Sequence, residues 1–288
     1  MAAALTPHAD ALALAGMDDA VFARWVALLE QRTGVVVAPQ RKPFLVSAVR
    51  ARMREVGHGN FVQYLEHITA PGAGAVEWAT LVDRLTVHET RFFRHPPSFE
   101  LIRQRWLPER MAAGSSTLHA WSVGCASGEE AWSLAMVLHQ GLLGHGGKQH
   151  FGVTASDVSA AAVASARTAQ YPRARLEEIP ALYRADYVEM QGEAAFTLIA
   201  SLRKRVAFAR VNLLEAAAAP LQRLNLIFCQ NVLIYFSRER RRELLDGLAG
   251  LLEPHGLLLI GPGEITGWSH PALTRVAWQG TLAYQRRS

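Results

Sequence analysis

Cysteine is scarce in this chain of 288 residues: Cys125 and Cys229 are the only two, and each follows an apolar strand-like run rather than sitting in a spaced pair. That spacing excludes a disulfide framework and a cysteine-based metal centre, and no metal is expected. A basic n-region is missing from the start, MAAALTPHADALALAGMDDAVF, and Asp10, Asp18 and Asp19 interrupt its apolar stretches. Neither a signal peptide nor membrane insertion is therefore expected, and the expected location is cytoplasmic. Also missing are stacking aromatics interleaved with basic residues, so the net charge of +5 suits an acidic protein surface as well as a polyanion, and no nucleic-acid partner is expected. With half the residues apolar and 19% charged, the composition is that of a globular protein.

From about Phe22 to Leu85 apolar residues recur at three- and four-residue spacing with no strand-like run, which predicts a small all-α region. From Leu118 onward short apolar runs alternate with helical stretches: LHAWSV, FGVTAS, RVAFARV, LNLIFC and GLLLIG. Strands alternating with helices predict a mostly parallel sheet. The last run, TRVAWQGTLAYQ, has two strand-like pieces about Gln279 and Gly280 and predicts an antiparallel hairpin at the sheet edge.

The first strand run leads into Gly124-Cys125-Ala126-Ser127-Gly128-Glu129-Glu130 and then a helical stretch. Small residues allow a tight turn and a close backbone approach at a helix start, where N–H groups can receive a carboxylate. The spacing is Gly-x-x-x-Gly rather than the dinucleotide Gly-x-Gly-x-x-Gly, which favours a single nucleoside with a small charged tail over a pyrophosphate cofactor. Asp157 ends the second run, where it can accept hydrogen bonds from ribose hydroxyls or simply cap the next helix. Asn212 follows the third run, and Gln230, Asn231 and Tyr235 follow the fourth; amides there can read an adenine edge or hold an amino-acid tail.

Together these segments resemble the CheR-type chemotaxis receptor methyltransferases, whose members carry a Gly-Glu-Glu turn, an Asn-Leu-Leu and an Asn-Val-x-Ile-Tyr-Phe stretch in this order, over roughly Asp19 to Gly267. Thr86-Val87-His88-Glu89-Thr90-Arg91-Phe92-Phe93-Arg94 is similar to the family's polar triplet followed by Phe-Phe-Arg. The resemblance implies a class I S-adenosylmethionine-dependent methyltransferase of Rossmann-like α/β fold, mostly parallel with a C-terminal antiparallel hairpin, preceded by a small all-α domain. The implied boundaries are a disordered tail at 1–17, an N-terminal docking domain at 18–90 and a cofactor-binding domain at 91–288 with a small β-subdomain near 171–205. It implies esterification of glutamate side chains, with S-adenosylhomocysteine as the second product. Carried over residue by residue, it places His88, Thr90 and Arg94 beside the cofactor, Glu130 and Asp157 at the ribose and tail, Asn212 and Leu213 near the adenine, and Gln230 with Asn231 near the methionine portion. His88 stands where Asn is usual, and Gln230 where an arginine is often found. Arg94 is expected to orient the incoming carboxylate and Tyr235 to line the methyl-transfer position, neither as a covalent catalyst.

In Pro43 to Val56, Leu45, Val49, Met53 and Val56 share one helix face and Arg50 and Arg54 the opposite one, with Arg41, Lys42 and Arg52 adding charge and no acid between Arg41 and Arg54. The exposed side is expected to dock, through Arg50, Arg52 and Arg54, on the acidic helical methylation region that the resemblance implies in chemoreceptors. Relatives with a Gly-x-Gly loop in the β-subdomain are tethered to a receptor C-terminal pentapeptide. Here YVEMQGEAAFTL has Gly192 alone, so no such tether is expected. Competing readings are a methyltransferase of this fold with another acceptor, a catalytically silent cofactor-sensing module, and a nicotinamide oxidoreductase, the last disfavoured by the glycine spacing.

Overall fold

In the computed structural model, which describes residues 17–144, 150–218 and 221–288, the chain divides into two units, Met1–Val87 and His88–Ser288. Of the tail expected at 1–17, residues 1–16 lie outside the described residues; Met17 is buried.

The first unit is helical: α1 (Asp19–Thr33), α2 (Lys42–Val56), α3 (Phe61–Thr69) and α4 (Ala73–Leu85), with a short 3-10 turn over Pro39–Arg41. Its boundaries follow from local chemistry. Asp18 caps α1 by accepting from the Val21 N–H at 2.7 Å, and Asn60 caps α3 through the N–H groups of Val62 and Gln63. Gly34 and Gly57 end α1 and α2 in left-handed conformation. Leu45, Val49 and Met53 of α2 are buried with Trp25, Leu29, Tyr64, Ile68 and Leu81; burying each such side chain stabilises by roughly 1.5–3 kcal/mol. Val56, expected on the same face, is only half-buried at the helix end.

The second unit opens with a helical run, α5 (Pro96–Leu101), a π-helical stretch and α6 (Leu107–Ala112). Then follow β1 (Thr117–Val123), α7 (Glu129–Leu143), β2 (His150–Asp157), α8 (Ala160–Thr168), β3 (Gln170–Pro172), α9 (Ala181–Tyr187), β4 (Val188–Gln191), β5 (Ala195–Leu198), α10 (Ala200–Arg203), β6 (Val206–Arg210), β7 (Leu224–Cys229), α11 (Arg238–Leu251), β8 (Leu252–Ile260), β9 (Leu273–Val276) and β10 (Leu282–Arg286). Seven strands form one sheet in the order β6-β2-β1-β7-β8-β10-β9. The first five are parallel, and the hairpin expected at the C-terminus is present, with its second strand rather than its first against β8.

β7 shows why the sheet is an interior layer: all of LNLIFC is buried, with Leu226 and Phe228 in one hydrophobic cluster and Ile227 and Cys229 in the other. Alternate residues face opposite sides, so an unbroken apolar run means both faces are covered. β3, β5 and β4 form a separate three-stranded antiparallel sheet, with the 3-10 turn Arg173–Glu178 after β3.

Candidate active site

Because β6, β2, β1 and β7 run parallel, their C-terminal ends lie along one edge of the sheet and bring Asn212, Asp157, the turn 124–130 and Gln230 with Asn231 to it. β2 and β7 flank β1 on opposite sides, and this reversal of strand order is where open α/β sheets form their ligand crevice.

Asp157 is buried, and each carboxylate oxygen has a backbone donor: Oδ2 accepts from Ala126 N–H at 2.9 Å and Oδ1 from Ser159 N–H at 2.9 Å. The capping role open to Asp157 in the sequence belongs to Ser159, whose Oγ accepts from Ala162 N–H at 3.0 Å. Asp157 instead joins the first turn to the second strand. The glycines of that turn have positive φ, 68° at Gly124 and 97° at Gly128. A Cβ at Gly124 would stand 2.4 Å from Val232 Cγ2, and one at Gly128 would stand 2.8 Å from Ala166 Cβ. Protein packing, in addition to turn geometry, therefore demands glycine at both positions.

α7 starts with no side-chain cap, which leaves first-turn N–H groups for a ligand carboxylate. Ser122 donates to Glu130 Oε1 at 2.7 Å and Ser127 to Glu129 Oε2 at 2.7 Å. Burial pushes the Glu130 carboxyl up to about 8; the Ser122 hydrogen bond and Arg94 oppose the shift, and Glu264 adds to it. Burial also raises Glu129.

The Phe-Phe-Arg block is fixed at several points. Phe92 N–H donates to Glu178 Oε2 at 3.0 Å and Phe93 N–H to Ser133 Oγ at 3.0 Å. Arg175 donates to the Thr90 carbonyl and to Glu178 Oε1, both at 2.9 Å. The Phe92 ring meets Tyr171 edge-on at 4.8 Å, and Phe93 stacks on Tyr183 at 5.0 Å. Both aromatics are core residues of this unit, and between such anchors the neighbouring Thr90 and Arg94 have little freedom. Arg94 is half-buried and donates from Nη1 to the Glu89 carbonyl at 2.7 Å; among the described residues it forms no ion pair with Glu89 or Glu100. His88 and Thr90 are half-buried.

The amides behave differently from one another. Gln230 is buried, and its Nε2 donates to Ser98 Oγ at 2.8 Å and to the Ile260 carbonyl at 3.2 Å, so both amide hydrogens are already engaged within the protein. Asn231, with φ 61°, is half-buried, and its N–H donates to Glu264 Oε2 at 3.0 Å. Asn212 Oδ1 accepts from Leu214 N–H at 3.2 Å; Leu213 is buried, and Tyr235 is half-buried. Glu178 and Glu264 were not singled out from the sequence. Glu264 had a signal: it is the only acid after Glu253 and follows the strand run GLLLIG.

In the helical unit the three docking candidates separate. Arg52 is tied to Glu77 through Nε at 2.8 Å and Nη2 at 2.7 Å and to Glu55 at 2.9 Å, with Tyr64 donating to Glu77 at 2.5 Å. The Arg52 guanidinium is thus part of a neutralised internal network, supplied by acids outside the stretch from Arg41 to Arg54. Arg50 is half-buried over the Phe61 ring at 5.7 Å, whereas Arg54 is exposed.

Asp157 at the end of β2 and Glu130, in its ionised form, after β1 suit a ribose diol and a cationic centre, and the uncapped start of α7 suits a carboxylate tail. S-adenosylmethionine presents all three, and the residues at the crevice fit it. Sheet order, hairpin and crevice define a class I S-adenosylmethionine-dependent methyltransferase. The chain belongs to the CheR methyltransferase family: that family's SAM-binding domain matches residues 88–277, and its all-alpha domain matches residues 20–86. Chemotaxis protein methyltransferases 1 and 2 of Pseudomonas aeruginosa are 31% and 32% identical, covering 85% and 82% of this chain and 90% and 83% of their own lengths. The chemotaxis protein methyltransferase of Escherichia coli is 30% identical over 86% of this chain and 85% of its own.

Proposed function

We propose that this enzyme transfers a methyl group from S-adenosylmethionine to glutamate side-chain carboxylates of chemoreceptors, forming methyl esters during chemosensory adaptation in the cytoplasm. The observation that carries the reading is the setting of Arg94. It follows two anchored aromatics, acts electrostatically on Glu130 in the crevice, and among the described residues keeps guanidinium N–H groups beyond its bond to the Glu89 carbonyl. A planar fork so placed can receive a carboxylate.

When bound, S-adenosylmethionine supplies a methyl group on a sulfonium, already an excellent leaving group. The chain's residues then have to bind, orient and exclude water. Asp157 and Glu130 accept from the ribose and tail region, Asn212 and Leu213 border the adenine, and Asn231 with Gln230 borders the methionine portion. Gln230 acts there through its Oε1, because its hydrogens already have acceptors. His88 and Thr90 line the same side as Arg94, and Tyr235 limits the approach to the methyl. A glutamate with a reference pKa of about 4.3 is ionised at neutral pH, so no general base is required.

On the receptor side, the exposed Arg54, with Arg50 and Arg41 on the same stretch, provides the positive surface for an acidic helical region, while Arg52 holds that helix to its neighbours and Lys42 is paired with Asp19. The β4–β5 turn with Gly192 lacks a second glycine, consistent with work independent of a C-terminal pentapeptide tether.

The test is transfer of radiolabelled methyl from S-adenosylmethionine to chemoreceptor-containing membranes, followed by mild alkali. Release of the label as methanol is the expected result. Label stable to alkali would mean another acceptor, and cofactor binding without transfer would mean a sensing module.

A further inference from the structure

The turn joining β7 to α11, residues 230–236, carries Asn231 and Tyr235, yet it has little regular structure of its own. It is held by two residues that neither the family match nor the sequence pattern assigns a role. Glu264 is buried, and its carboxylate accepts from three backbone amides: Asn231 at 3.0 Å and Gly261 at 2.8 Å through Oε2, and Ile234 at 3.3 Å through Oε1. Arg241, on α11, donates to three carbonyls: Phe236 at 2.9 Å, Glu264 at 2.7 Å and Ile234 at 3.2 Å. Ile234 is therefore gripped at both its N–H and its C=O.

Three further features fit a clamp. Asn231 is in left-handed conformation, φ 61°, a region asparagine enters more readily than most side chains and in which the amide bond to Glu264 holds it. Gly261 has no room for a side chain, since a Cβ there would lie 2.2 Å from Glu264 Oε2. Burial raises the Glu264 carboxyl, opposed by the backbone hydrogen bonds it accepts, that from Asn231 first. A buried carboxyl whose hydrogen-bond donors all come from the turn and its neighbouring strand end is costly to separate from them, so it enforces one geometry.

We propose that Glu264 and Arg241 are positioning residues for methyl transfer: they fix the turn so that Asn231 and Tyr235 are presented to the crevice in a single arrangement. The inference rests on the reading of the site given above. Neither residue touches the reacting atoms; each acts through backbone groups of the turn.

Glu264→Gln keeps the shape but sets an NH2 group against at least one amide donor. The expected result is a fall in kcat of at least tenfold with the receptor KM within threefold, and amide hydrogen exchange across 231–236 faster by at least tenfold while β1 and β7 keep their protection. In a background carrying Asn231→Gly and Tyr235→Ala the same substitution is expected to lower kcat by less than threefold, because the geometry it disturbs serves those two side chains. Unchanged exchange in the turn, or a full kcat loss in that background, overturns the proposal. Should Glu264→Gln not fold, Arg241→Met is expected to loosen the same segment, with Arg241→Lys restoring part of both protection and kcat; equal behaviour of the two Arg241 variants counts against it. If the unaltered protein forms no alkali-labile label, the acceptor assignment fails. The clamp then stands or falls on the exchange measurement together with weaker S-adenosylmethionine binding in Glu264→Gln.

Discussion

The two units use buried carboxylates in opposite ways. In the helical unit Glu77 is paired with Arg52 and Tyr64, and the exposed Glu55 bridges Arg52 and Arg84. Positive and negative charge cancel inside the network, which fixes α2 against α4. In the larger unit Asp157 is held by the amides of Ala126 and Ser159, and Glu264 by those of Asn231, Ile234 and Gly261. Neutral donors orient a carboxylate without cancelling its charge: at Asp157 the group so held stands at the crevice, and at Glu264 it ties the turn that carries Asn231 and Tyr235. The lesson is that the partner sets what a buried acid fixes: a cation partner locks one helix to another, and amide partners lock the backbone turns of the site.

The contrast can be broken most severely in the helical unit. Glu77→Ala leaves Arg52 and Tyr64 without their acceptor and is expected to cost about 3 kcal/mol of stability in urea unfolding followed by tryptophan fluorescence. The Arg52 hydrogen bonds hold the Glu77 carboxyl below its usual range. Its contribution is therefore present at neutral pH and is lost as pH falls through the folded-state value, and Glu77→Ala should flatten the acid limb of the stability curve. In the larger unit, Arg94→Ala is expected to lower kcat about a hundredfold, about 2.7 kcal/mol, with cofactor affinity within a few fold; normal turnover would remove Arg94 from the chemistry.

Asp157→Asn converts one acceptor into a donor facing an N–H and should weaken S-adenosylmethionine binding roughly tenfold to thirtyfold by calorimetry, with a smaller change in thermal stability than Glu77→Ala. Glu130 sharpens the comparison through pH. With its carboxyl pushed up to about 8, binding that needs the ionised form should weaken as pH falls below that value, by about tenfold at pH 7, and Glu130→Gln should remove this part of the profile. The smallest effect is expected for Arg54→Glu, which is exposed: receptor KM rises severalfold, cofactor affinity is unchanged, and the shift shrinks at high salt.

Much of this was legible beforehand. The five parallel strands and the C-terminal hairpin stood out as apolar runs, most plainly β7, because a strand covered on both faces has no polar alternation to obscure it. Asp157 and the turn at 124–130 were visible as polar groups directly after such runs. Partners distant in sequence were not visible. Nothing near Arg52 announces Glu77, and the lack of acids between Arg41 and Arg54 suggested an open positive stripe that Glu77, Asp19 and the adjoining Glu55 partly fill. Gln230 looked like a ligand amide because its position after β7 was readable, whereas its bonds to Ser98 and Ile260 depend on packing. Glu264 was visible as a lone acid after the run GLLLIG, but its role was not, since its partners are backbone amides that every residue possesses.

The small three-stranded sheet reaches back into the first turn and the Phe-Phe-Arg block: Tyr171 of β3 donates to the Ser127 carbonyl at 2.8 Å, and the 3-10 turn after it supplies Arg175 and Glu178 to Thr90 and Phe92. An insertion that looks like surface decoration is thus a buttress, and trimming it to make a minimal enzyme would remove the wall against which the block leans. Length variation is better tolerated at its far end, the turn at residues 192–194, where a reporter tag could be grafted with the buttress left standing.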